Sequence, residues 1–188
     1  GDSKSIGERF DLIVGTSVGG IIALALASGF SAKETVRHVT RLIPRVFASS
    51  VGQSVMMWAT PKYRSTSLQE ELSDIFGDRT LADLLVDACV TSVALPSGQP
   101  HLHKTDYMKR NAGRLDERLV DVAMATSAAP TYFQAHSTKH AADLVDGGVA
   151  ANNPVMVGAI DAVQFERASK RGSKPPKFDD IAVLSLGT

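Results

Sequence analysis

Gly15-Thr16-Ser17-Val18-Gly19 is the stretch of this 188-residue chain whose residue types most directly suggest chemistry. The spacing is Gly-x-Ser-x-Gly, with an apolar run from Phe10 before it and a second apolar run after it. A serine in that context sits on a sharp strand-to-helix turn with its hydroxyl exposed for attack. Glycines two before and two after leave room for the turn and for a substrate. The helix that follows aims free N–H groups and its positive dipole end at a developing oxyanion. The same residues admit a plainer reading, a tight turn whose serine only caps the helix.

Two other chemistries compete for this run. No charge occurs from Leu12 to Phe30, nineteen positions, and Gly15 with Gly19 has the spacing of a membrane helix-dimer face. A Gly-Thr-Ser cluster and a glycine pair divide the run, which argues for a buried strand and then a helix. Gly15 to Gly20 also matches the glycine spacing of a phosphate loop, but Ile21 stands where the required lysine would be.

A serine hydroxyl needs a partner to take its proton. Of the five histidines, His38 falls mid-helix, and His136 and His140 flank a polar loop. His101 and His103 alternate on a predicted strand and share a face. That suits a metal pair, but no third ligand is spaced to join them, so no metal site is expected. The order Ser, acid, His of the α/β-hydrolases is not met, because no histidine follows His140. The best acid is Asp146, in "LVDGGVAANNP". Gly147 and Gly148 let backbone or substrate come close. An ordinary Asp-Gly turn is one reading of it. The other is a carboxylate at the end of a buried strand, where α/β folds collect ligands.

Gly-Thr-Ser-Val-Gly-Gly early, "ATSAAPTYF" at 125–133, and Asp-Gly-Gly with "ANNP" resemble the patatin-like phospholipase family, in its motif order and across most of the chain. The resemblance implies a three-layer α/β/α sandwich with a largely parallel central sheet. It implies a Ser–Asp dyad without histidine: Ser17 as nucleophile, Asp146 as its base, with Gly15, Gly19, Gly147 and Gly148 as motif glycines. The substrate implied is a phospholipid or other acyl lipid, hydrolysed through an acyl-serine. A free aspartate is a weak base, with a reference pKa of about 3.9, so burial or positioning must compensate. The family also carries a glycine-rich oxyanion loop upstream of the serine, and nothing of that kind lies in residues 1–9. Val18 is left as a partial oxyanion donor, and the chain taken as it stands is expected to be a poor enzyme. Another serine esterase or acyltransferase, or a non-catalytic lipid-binding regulatory module, are the alternatives.

The elements that must position these groups follow from patterning. A strand is expected at Phe10–Val14 and a helix from Val18 to Ser28, ended by Gly29. Ser31 with Glu34 makes a capping box for a helix to about Phe47, and Ser67 with Glu70 a second box for a helix that Gly77 stops. "ACVTSVAL" at 88–95 reads as a strand, with "PHLHKT" as its partner. Leu115, Leu119, Val122 and Ala123 mark a helix face from 115 to 126. A short strand at 142–145, a helix capped by "NNP" at 152–154, and a buried strand at 181–186 complete an α/β alternation.

One domain, residues 1–188, is expected. Because the chain opens on Gly1 and ends on "IAVLSLGT", it is expected to be cut at both ends. Twenty basic and twenty acidic residues leave no net charge, so nucleic acid is not an expected partner. No calcium loop or other cofactor motif is present in the sequence. The single Cys89 fits a reducing compartment, so a cytoplasmic location with peripheral membrane contact is expected. No feature sets an oligomeric state.

Overall fold

The computed structural model describes residues 5–47, 61–107, 114–169 and 181–186. Strand β1 (Leu12–Thr16) leads directly into helix α1 (Val18–Ala27), and α2 (Ala32–Phe47) and α3 (Pro61–Phe76) follow. Strands β2 (Asp87–Ala94) and β3 (Gln99–Lys104) form a hairpin. Helix α4 (Leu119–Ser127), strand β4 (Leu144–Asp146), the single turn α5 (Gly148–Ala151) and helix α6 (Val155–Ser169) complete the described elements.

These elements make an α/β sandwich. On β1, alternate residues point to opposite faces. Ile13 packs with Ala27 and Ala88 toward α1, and Gly15 lies against the backbone of Gly19. Val14 faces Gly158 of α6, and the Thr16 hydroxyl bonds the Ala151 carbonyl of α5. So α1 and α4 cover one face, and α5 and α6 the other. The larger core lies on the α1 side, where Ile21, Leu24, Leu68, Leu72, Phe76 and Leu119 are buried.

The uncharged run that resembles a membrane span folds as the strand and helix the sequence predicts, half-buried along much of β1 and buried along most of α1. Gly20, Ile21, Ala23, Leu24, Ala25 and Ala27 of α1 are all buried, which explains an apolar composition on every side of the helix. Its ten residues reach about 15 Å, half a bilayer core. No helix among the described residues is long and apolar enough to cross a membrane.

Helix ends follow local chemistry. The Ser31–Glu34 box is formed: the Ser31 N–H donates to Glu34 at 2.9 Å and the Glu34 N–H to the Ser31 hydroxyl at 3.2 Å. Gly29 and Gly77 take φ of +87° and +59°, the left-handed geometry that ends α1 and α3. Asn153 accepts the Val155 N–H at the start of α6.

Three expected boundaries are corrected. Helix α3 begins at Pro61, so Ser67 and Glu70 lie inside it and do not start it. Helix α4 begins at Leu119, because the Leu115 and Glu117 carbonyls accept the N–H groups of Ala82 and Leu81 instead of extending a helix. Residues 181–186 form no strand, and Val183, Leu184 and Leu186 are exposed.

The sheet is mixed, and its register prepares the site. β1 runs parallel to β2, with Thr16 opposite Thr91. β4 runs antiparallel to β2, with Asp146 opposite Ser92. β3 pairs antiparallel along β2 as well. Strands β1 and β4 therefore lie end to end beside β2, with their carboxyl ends meeting between consecutive residues of that strand.

Candidate active site

That meeting point holds Ser17, one residue past β1, and Asp146, the last residue of β4. The Ser17 hydroxyl donates to Asp146 Oδ2 at 2.6 Å. Ser17 takes φ 57° and ψ −128°, a backbone state that costs a non-glycine residue about 1–3 kcal/mol and persists only when its surroundings hold it. Here the holding group is Thr126 of α4. Its hydroxyl accepts the Ser17 N–H at 2.8 Å and donates to the Thr91 carbonyl at 2.7 Å, tying the turn to β2. On the opposite face, Thr91 and Thr16 hydroxyls meet at 2.7 Å, and Thr16 donates on to Ala151.

Asp146 is as firmly fixed. It is buried, its backbone N–H donates to the Ala128 carbonyl, and Oδ1 accepts the Gly148 N–H at 2.7 Å. That bond leaves Oδ2 for Ser17. The glycines have separate reasons. A side chain at Gly147 would strike the backbone and hydroxyl of Thr91, and one at Gly15 the Gly19 carbonyl. At Gly19 nothing stands in the way of a Cβ, so the space above the turn is open. Val18 opens α1, and among the described residues no acceptor takes its N–H. Chemically this is a hydroxyl hydrogen-bonded to a fixed carboxylate, at the positive end of a helix and beside open space.

None of the five histidines bonds to Ser17 or Asp146 among the described residues. His38 stacks on Phe30, His136 bonds Asp121 at 3.0 Å, and His140 bonds Asp116 at 2.6 Å. His101 lies edge-on to His103, and His103 bonds Ser92 at 2.9 Å through Nε2 and Glu117 at 2.8 Å through Nδ1. The expectation that no third ligand joins His101 and His103 is corrected here. Glu117 arrives from the segment before α4, and one donor atom from each of the three residues lies within 4.8 Å of the others. Glu117 lies 14 positions after His103, and no short ligand motif in the sequence marks it. Burial and the neighbouring His103 push the His101 ring down to about 4.

No short motif in the sequence marks the threonine struts as a set. Thr126 stands inside the "ATSAAPTYF" run, the one signal that pointed near it. Thr16 and Thr91 carry no such mark, since threonine in a strand is ordinary.

A family model described as patatin-like phospholipase matches residues 3–159. Among curated proteins, a cGAMP-activated phospholipase from Escherichia coli is 34% identical over 97% of this chain and 51% of its own length. One from Vibrio cholerae is 33% identical over 97% of this chain and 54% of its own. Patatin-like protein 1 of Arabidopsis thaliana is 29% identical over 100% of this chain and 51% of its own. The chain thus spans about half the length of the curated relatives it matches. With a strand–serine–helix turn facing Asp-Gly-Gly where β1 and β4 end beside β2, and with a match over 3–159, this chain belongs to the patatin-like phospholipase family.

Proposed function

We propose that this chain carries a serine acyl hydrolase that cleaves phospholipid or other acyl-lipid esters with a Ser17–Asp146 dyad. The observation that carries the reading is the 2.6 Å hydrogen bond from a positive-φ serine to a buried aspartate, with no histidine bonded to either. Ser17 Oγ attacks the ester carbonyl carbon while its proton passes to Asp146 Oδ2. The carbonyl oxygen becomes an oxyanion, with the Val18 N–H and the α1 dipole as its partial support. Collapse breaks the ester C–O bond, and the leaving alcohol takes the proton from Asp146. Water then attacks the acyl-serine, giving a proton to Asp146; collapse breaks the acyl C–Oγ bond, Asp146 returns the proton to the Ser17 oxygen, and the fatty acid is released. Asp146 acts here chiefly through position: it is fixed by two backbone N–H bonds and already touches the hydroxyl it must deprotonate.

Exposed Val149, three residues beyond Asp146, and Met156 and Ile160, one turn apart on α6, supply apolar surface for peripheral contact with a lipid layer. The single, buried Cys89 is in keeping with a cytoplasmic setting. The test is release of fatty acid from phosphatidylcholine vesicles and from a short-chain ester by the wild type and Ser17→Ala. Hydrolysis of both that vanishes in the variant supports the reading. Hydrolysis that survives in the pure variant rejects it, and transfer to an added alcohol with no release to water makes the protein an acyltransferase.

A further inference from the structure

We propose that His101, His103 and Glu117 form a binding site for one transition-metal dication of the zinc class, which ties β3 to the segment entering α4. His101 and His103 are two apart on β3 and so share a face, with ring centroids 4.7 Å apart. Glu117 reaches the same place from the segment that precedes α4, bringing one donor atom from each residue to within 4.8 Å of the others. Two imidazoles and a carboxylate are a donor set that zinc takes, at bond lengths of about 2.0–2.2 Å. Those bonds place neighbouring donor atoms about 3.4 Å apart, so side-chain adjustments of about 1 Å close the site.

The outer shell is already built. A metal-bound histidine needs a partner on its other ring nitrogen, and ligating carboxylates are themselves hydrogen-bonded. His103 Nε2 has the Ser92 hydroxyl at 2.9 Å, leaving Nδ1, the atom beside Glu117, to face the ion. Glu117 Oε1 accepts the Thr138 hydroxyl at 2.7 Å, leaving Oε2. A second, independent observation is His101 itself. Its Nε2 is shut off from solvent and has no hydrogen-bond partner, an orphaned donor atom in a polar cluster. His103 and Glu117 are each 1% exposed, while the partly exposed His101 marks the side from which an ion and a fourth, water ligand enter. Two imidazole nitrogens with a single carboxylate favour a zinc-class ion over calcium, which takes about six to eight oxygen ligands.

The experiment uses the purified protein stripped with EDTA and titrated with Co²⁺ and Zn²⁺. Uptake of one Co²⁺ per chain with the visible bands of a tetrahedral centre is expected, together with a higher melting temperature in Zn²⁺ than in EDTA. His101→Gln is the deciding variant, because the Nε2 it removes has no partner whose loss would unfold the protein. It should melt like the wild type in EDTA and bind Co²⁺ more than about 100-fold more weakly, beyond the loss an outer-shell change brings. Absence of stoichiometric uptake, or uptake and melting shift unchanged in His101→Gln, would overturn the proposal and leave a hydrogen-bonded cluster only.

Discussion

At Ser17, three demands meet in one residue: a positive φ, a backbone N–H tied to Thr126, and a hydroxyl aimed at Asp146. The nucleophile and its support are therefore separable by mutation. Ser17→Ala should abolish turnover, a loss on the order of 10⁶ in a comparable hydrolase, while circular dichroism and the melting temperature stay near wild type. Thr126→Val should behave differently. It keeps the shape but removes the acceptor of the Ser17 N–H and a donor to the Thr91 carbonyl; a buried group left unpaired costs about 1–3 kcal/mol. We expect a lower melting temperature and at least a ~10-fold fall in kcat, with KM little changed, and Thr126→Ser should restore most of both. A Thr126→Val protein with wild-type kcat would show that the strut is dispensable to the turn.

At the scale of elements, the site exists because two strands end against a third. Gly147 is the position that lets β4 and α5 come that close to β2. Gly147→Ala should force the Thr91 backbone away, costing about 1–3 kcal/mol and more activity than the stability loss explains. Gly19→Ala is the control: its Cβ meets open space, so its melting temperature should match or exceed wild type. Equal melting temperatures for the two variants would contradict the packing argument. The elements were unequally legible. The Ser31–Glu34 box could be read because it stands at a real helix start. The Ser67–Glu70 pair has the same spacing by coincidence inside α3, whose first residue, Pro61, was the better signal. Leu115 continues the apolar face of α4, yet carbonyls around it are taken by the turn at 81–83, a tertiary fact. The run at 181–186 has strand composition, but a strand also needs a ladder partner, and none of the described strands pairs with it. Of the candidate site, the serine, the aspartate and their glycines carry local patterns. The struts and Glu117 come together only through the fold.

Across the whole molecule, the two faces of the sheet carry different polar clusters. On the α6 face, Tyr107 and Lys104 both bond Asp161, at 2.7 and 2.6 Å, and burial pushes the neighbouring Cys89 thiol up to about 12. The native protein at pH 8 should thus hold Cys89 as an inert thiol. Ellman's reagent should react with it only as fast as the protein unfolds, and with one equivalent in denaturant; rapid native labelling would mean that this face opens. On the other face lies the buried His103–Glu117 pair, and in the proposed mechanism none of the five histidines serves as the base for Ser17. The measurement that tests this most directly is fluorophosphonate labelling of the purified protein, with the adduct mapped by peptide mass spectrometry. The account predicts an adduct on Ser17, lost in Ser17→Ala, strongly reduced in folded Asp146→Asn, and kept in His38→Ala, His136→Ala and His140→Ala. An adduct that survives at full rate in Asp146→Asn and disappears when one of those histidines is removed would contradict it.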